Sequence, residues 1–179
     1  GTGNNSLNEN IDLIKYAIEY GFHDFLIMPP AYYKDNTDKG VFDFYSRLIE
    51  ATPKIKIILY NFEKLSGYKF SAAAVNLLVK TYPENIIGCK DSSYNLFENL
   101  KLPNFLMFPG SEAKLLKGLE LGCSGCISAV TNVTHFLARK VFDDFEQNQI
   151  QSKNKQLIAV RETFDQYNLI SALHSYHSI

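Results

Sequence analysis

Asn85-Ile86-Ile87-Gly88-Cys89-Lys90-Asp91 is an apolar run that ends in a lysine and an aspartate. A short continuous run of this kind predicts a buried strand, and its charged end marks the hand-over to a loop. One strand-and-helix unit earlier, Ile55-Lys56-Ile57-Ile58-Leu59-Tyr60-Asn61 closes in the same manner on a tyrosine. In a parallel sheet the two runs are neighbours, which places Tyr60 and Lys90 side by side at equivalent strand ends. A half-buried amine loses its proton more readily than one in water, and a deprotonated lysine can condense with a carbonyl carbon. A phenol beside it can both donate and accept a proton. The same pair has a plainer explanation, with the lysine reaching solvent and the tyrosine sealing the mouth of the sheet.

Outward from this stretch, short Ile/Leu/Val/Phe runs alternate with amphipathic segments. Leu7, Ile11, Ile14, Ala17 and Ile18 recur at helical spacing up to a stop at Gly21. A strand over 25–28 is closed by Pro29-Pro30, and a loop carries Ala31-Tyr32-Tyr33-Lys34-Asp35-Asn36. A helix over 41–51 follows, then the strand at 55–60, a loop to Gly67, and a helix over 71–82. Beyond Lys90 the pattern predicts a short helix near 94–100, a strand at 105–108, and a helix to 121 opened by Gly110-Ser111-Glu112. A strand at 125–130, a helix over 133–146, and one or two helices over 152–176 complete the reading.

Strands each followed by a helix give an α/β fold with a parallel sheet buried on both faces. An open doubly wound sheet and a (β/α)8 barrel both fit that pattern. Polar groups collect after every strand end: Tyr32 and Tyr33, Tyr60 and Asn61, Lys90 and Asp91, Ser111 and Glu112, Ser128 and Asn132. Convergence of this sort is how barrel sites are built, and no G-x-G-x-x-G cradle opens a helix. The expected fold is therefore a (β/α)8 TIM barrel. Five strands are too few to close one, and about 250 residues is typical. Residues 1–179 are thus expected to be one barrel domain represented by its last five βα units, with three strands upstream and room for further C-terminal helix.

Composition narrows the class of function. The chain has 179 residues, 46% hydrophobic and 21% charged, enough apolar material for a sizeable core. A net charge of −1 leaves no electrostatic footprint for nucleic acid or an anionic membrane. No apolar run approaches the roughly 20 residues that span a bilayer, and the polar N-terminus has no signal-peptide core. The expectation is a cytoplasmic protein without nucleic-acid or membrane partners. Cys123-Ser124-Gly125-Cys126 has C-x-x-C spacing, yet no second such pair exists and the histidines are scattered. Its cysteines, with Cys89, are read as small buried residues, so no metal and no cofactor is expected.

Four motifs in order, Gly1-Thr2-Gly3-Asn4-Asn5-Ser6, Pro29-Pro30-Ala31-Tyr32-Tyr33-Lys34, Ile58-Leu59-Tyr60-Asn61 and Ile86-Ile87-Gly88-Cys89-Lys90-Asp91, resemble the dihydrodipicolinate synthase and N-acetylneuraminate lyase family of pyruvate-dependent class I aldolases. The similarity continues through Gly110-Ser111-Glu112 and Gly125-Cys126-Ile127-Ser128. The resemblance implies that Lys90 forms a Schiff base with pyruvate and that Tyr60 relays protons. It also implies that Tyr33, with Tyr32 the second choice, reaches a neighbouring subunit's site in a homodimer or homotetramer. Ile127 matches the residue whose carbonyl lines the pyruvate pocket, and Gly110, Ser111 and Glu112 match a loop near the second substrate. Ser111 and Glu112 also suit a helix N-terminus.

Two departures matter. Dihydrodipicolinate synthases usually carry Arg-Thr-Gly after the Tyr-Asn strand, the arginine binding the partner's carboxylate. Here the segment is Leu65-Ser66-Gly67, and leucine makes no bidentate contact, although Lys64 could supply a point charge. Leu65 and the Lys-Asp pair look more like sialic acid lyases and keto-deoxygluconate aldolases. The family's Gly-Thr-Thr-Gly-Glu segment, which holds the pyruvate carboxylate, is expected upstream of Gly1. The implied partners are pyruvate and an aldehyde or sugar acid, and the leading expectation is cleavage of a 2-keto-3-deoxy sugar acid. The alternatives are dihydrodipicolinate synthase activity and a non-catalytic keto-acid-binding member of the fold.

Overall fold

The computed structural model describes residues 1–178 and divides into two compact units, Gly1–Leu106 and Met107–Ile179. In the first unit, helix α1 (Leu7–Glu19) begins where Ser6 accepts the backbone N–H of Glu9 at 3.4 Å. Strand β1 (Asp24–Ile27) follows. Helix α2 (Asp38–Ala51) starts three residues before the apolar periodicity, because Thr37 caps it through the N–H of Gly40. Strand β2 (Lys56–Asn61) is followed by the single helical turn α3 (Glu63–Ser66), inside what the sequence presents as a loop, and then by helix α4 (Ala72–Thr81) and strand β3 (Ile86–Asp91).

β1 pairs with β2 and β2 with β3, all parallel. The register sets Tyr60 opposite Lys90 and Asn61 opposite Asp91, after an irregularity between Ile57 and Ile58. Phe25, Ile27, Ile57, Leu59, Ile86 and Cys89 are buried with Tyr45, Leu48, Phe70, Val75 and Leu78 of the helical layer and its loop. Each aliphatic or phenylalanine side chain among them contributes about 1.5–3 kcal/mol relative to exposure. The Tyr45 hydroxyl, buried with them, donates to the carbonyl of Ile27 at 2.8 Å. A Cβ on Gly88 would run into the carbonyl oxygen of Leu106, so only glycine at this position lets that backbone lie beside β3.

The sequence places a short helix near 94–100, and the structure has bends and a turn there instead. The Asp91 carboxylate takes the N–H groups of Tyr94, Leu96 and Phe97, and Tyr94 adopts a positive φ of 59°. A side-chain acceptor thus captures donors that would otherwise start a helix.

β4 (Leu106–Pro109) crosses the boundary between the units. In the second unit a 3-10 turn (Glu112–Lys114) leads into α5 (Leu115–Glu120), then α6 (Thr131–Glu146), α7 (Asn154–Asp165) and α8 (Leu169–His177). Leu115, Leu119, Ala138, Val141 and Leu157 form its apolar centre. The expected fifth strand at 125–130 is not formed. Ser124 and Ile127 donate to the carbonyls of Met107 and Pro109, as a parallel neighbour would. Gly125 between them has φ 145°, which interrupts the extended run between the two bonds. Among the described residues no helix is long and apolar enough to cross a membrane.

Candidate active site

Lys90 and Tyr60 are both half-buried, and the Lys90 ammonium stands 4.0 Å from the centroid of the Tyr60 ring. Phe62, two residues on, stacks near Tyr60 with ring centroids 5.9 Å apart. The alternation of a strand dictates the rest. Tyr60 and Lys90 share one face of the sheet, and Asn61 and Asp91, next along each strand, are completely buried on the other.

That buried face is a closed polar network. Asn61 donates through Nδ2 to Asp91 and to Asn95, both at 2.8 Å, and its Oδ1 accepts the N–H of Phe70 at 3.1 Å. Asn95 in turn donates to the carbonyl of Phe70 at 2.9 Å. Asp91 accepts from Asn61, Tyr94, Leu96 and Phe97 at 2.8–2.9 Å, so both its oxygens are satisfied. Burial, helped by Asp91, pushes the Cys89 thiol well above its ordinary range and leaves it unreactive.

The other residues singled out by sequence divide. Tyr32 and Tyr33 are three-quarters exposed, 76% and 75%, with their rings edge to face at 5.3 Å. Their loop is held by Asn5, which accepts from the N–H groups of Ala31 and Tyr32, and by Asn36, which donates to the carbonyls of Pro30 and Tyr33. Leu65 is half-exposed, and its carbonyl accepts the Lys34 ammonium at 2.8 Å. Ser66 is buried and spends its hydroxyl on the carbonyls of Phe62 and Tyr68.

In the second unit Gly110 and Ile127 are half-buried, and Ser111 accepts the N–H of Ala113 as a cap. Glu112 has no exposed surface. Its carboxylate accepts from Ser128, from Thr134 at 3.4 Å and from Arg161 at 3.2 Å. Arg161 also donates to Ser128 and pairs with Asp165 at 2.8 Å. These partners of Glu112 all lie inside the unit, which favours the helix-start explanation of Ser111-Glu112 over a loop that offers its carboxylate to a ligand. Burial, with Glu112 nearby, pushes the Cys126 thiol up to about 12. Cys123 and Cys126 are unbridged, and among the described residues no group of three or more His, Cys, Asp or Glu could hold a metal ion.

Sequence reasoning missed Asn61 and Asn95 as a network, and Thr134 and Arg161 as partners of Glu112. The Asn61–Asp91 pair had a signal, since equal position after Tyr60 and Lys90 predicts equal register. Arg161 had none, because its spacing to Asp165 is that of an ordinary exposed helix pair.

The family model for the dihydrodipicolinate synthetase family matches residues 1–176. An uncharacterized DapA-like lyase of Chloroflexus aurantiacus is 30% identical, over 97% of this chain and 60% of its own length. A 2-dehydro-3-deoxy-D-gluconate/2-dehydro-3-deoxy-phosphogluconate aldolase of Picrophilus torridus is 25% identical, over 98% of this chain and 67% of its length. A solved 2-keto 3-deoxygluconate aldolase from Picrophilus torridus superposes with a TM-score of 0.84 at 23% identity, covering 96% of this chain and 64% of that one. The chain thus spans about 60% of the first of these relatives, and its fold is part of the (β/α)8 barrel that the strand pattern predicts. Tyr60 and Lys90 therefore stand at neighbouring strand ends in a chain that belongs to the dihydrodipicolinate synthetase family.

Proposed function

We propose that the protein is a class I aldolase that cleaves a 2-keto-3-deoxy sugar acid, or a close relative of one, into pyruvate and an aldehyde through a Schiff base on Lys90. The carrying observation is the Lys90 amine held 4.0 Å over the Tyr60 ring at adjacent strand ends. The amine adds to the substrate ketone, the Tyr60 phenol gives its proton to the departing hydroxyl, and loss of that water leaves a protonated imine. The Tyr60 phenolate then takes the proton from the hydroxyl on C4. The C3–C4 bond then breaks, its electron pair flows into the imine, and the aldehyde leaves. Protonation of the resulting enamine and hydrolysis by one water release pyruvate and restore the amine. A positive charge sits at Lys90 Nζ in both the ammonium and the imine. The Tyr60 ring face stabilises either form by about 0.5–2 kcal/mol.

Leu65 supports a neutral, hydroxylated second substrate, because it offers no guanidinium to a carboxylate. One observation favours the second reading, condensation of pyruvate with aspartate semialdehyde. Lys34 brings its ammonium to the Leu65 carbonyl and so restores a cation beside that position. The exposed Tyr32–Tyr33 pair is assigned to a contact with a second copy of the chain in a homodimer or homotetramer, with Tyr33 entering its site.

Both readings are separated by supplying the intact protein with a 2-keto-3-deoxy sugar acid and, separately, with pyruvate plus aspartate semialdehyde. Pyruvate release from the first with no turnover of the second is expected. Turnover of the semialdehyde alone overturns the leading reading, and pyruvate binding without turnover of either pair marks a non-catalytic keto-acid binder.

A further inference from the structure

We infer that Asn61 and Asp91 are a positioning pair that fixes Tyr60 against Lys90 from the opposite face of the sheet. The inference rests on the imine chemistry proposed above. Its evidence is a buried bond that runs from strand to strand at the register step next to the reacting one.

An amide and a carboxylate with no exposed surface are costly residues for the helix-covered side of a sheet, where Leu59 and Cys89 show what the fold otherwise places. The cost is offset only because every polar atom is matched. Asn61 uses both amide protons and its oxygen, on Asp91, Asn95 and the N–H of Phe70. Asp91 uses both oxygens, on Asn61 and on three backbone N–H groups. The Asn95 bond to the Phe70 carbonyl closes the ring. Two strand ends, the Phe70 segment and the 94–97 turn therefore move only together. A fully satisfied network of this kind rigidifies its surroundings.

The consequence falls on the other face. Because side chains alternate, the pair touches neither the Tyr60 phenol nor the Lys90 amine. It sets the separation and twist of the two backbones that carry them. Imine formation and proton relay both require those groups in a narrow range of geometry, so loosening the pair slows the covalent step while leaving the groups that hold the keto acid in place.

The test uses the intact protein, pyruvate and borohydride, and reads the rate of adduct formation per folded molecule, with folding measured by circular dichroism. Asp91→Asn puts an amide proton donor where a backbone N–H now donates. It is expected to slow trapping by about 10- to 100-fold, in line with the cost of about 1 Å of misplacement. The pyruvate concentration for half-maximal trapping should change by less than about threefold, since the binding groups are untouched. Asn95→Ala removes one strut of the ring and, with a smaller displacement than in Asp91→Asn, is expected to slow trapping by about 3- to 10-fold; it decides the matter if Asp91→Asn does not fold. Tyr45→Phe deletes the buried bond to Ile27 and should lower the melting temperature while trapping at the wild-type rate. Wild-type trapping rates in Asp91→Asn or, failing its folding, in Asn95→Ala overturn the inference, as does an equal slowing in Tyr45→Phe. A wild-type protein that is never trapped overturns the proposed function itself, and this inference falls with it.

Discussion

At the ends of β2 and β3 the polar groups divide between two faces, whereas after β4 they close on one another. Asn61 and Asp91 consume each other's hydrogen-bonding capacity on the buried side, which leaves Lys90 and Tyr60 half-exposed on the other. Glu112, Ser128, Thr134 and Arg161 form one cluster in which the carboxylate has no surface at all. Both clusters are built from residues that look equally chemical in sequence. What separates them is whether alternation along a strand leaves a second set of groups in front of the satisfied ones.

Substitutions that strip each cluster should therefore fail in different ways, through activity in the first and through stability in the second. The largest effect is expected at Lys90: Lys90→Arg should lower turnover by about a thousandfold or more, because the proposed Schiff base can no longer form, with the melting temperature near wild type. Tyr60→Phe should cost about 10²- to 10⁴-fold in kcat, the range for a positioned acid–base group, while pyruvate is still trapped on Lys90. In the second unit, Arg161→Met leaves Glu112 buried without its cation and should lower unfolding free energy by about 3–5 kcal/mol, read by denaturant titration. Gly88→Ala, forced against the Leu106 carbonyl, should cost about 1–3 kcal/mol.

The smallest effect is a pH dependence. Lys140 and then the Ser152 N–H and hydroxyl hold the Asp144 carboxyl down at about 2. Its folded value lies below the unfolded one of about 3.9, so its contribution is present above that value and is lost as pH falls toward 2. Lys140→Met should flatten the acid limb of a melting-temperature profile. An unchanged limb would remove Asp144 from the acid response.

Much of this division is legible in the amino-acid sequence. The two strands and the Tyr60–Lys90 neighbourhood follow from apolar runs that end alike, because register in a parallel pair carries equal endings to equal positions. The helix expected near 94–100 fails because the Asp91 carboxylate competes for N–H groups from a distance of three to six residues. Periodicity of the apolar side chains carries no record of that. The strand expected at 125–130 fails at Gly125, whose φ of 145° is invisible in a run that otherwise reads as extended. Sequence leaves Glu112 open between a loop near a substrate and a helix start, because Arg161, 49 residues away, carries no local mark of its partner.

The proposed chemistry requires Lys90, and no other lysine, as its nucleophile. Borohydride reduction of the intact protein with pyruvate, followed by proteolysis and peptide mass mapping, tests it most directly. One pyruvate-derived mass on the peptide that contains Lys90, absent without pyruvate and absent in Lys90→Arg, is the predicted result. An unmodified Lys90, or the adduct on Lys34, Lys64 or another lysine, would contradict it.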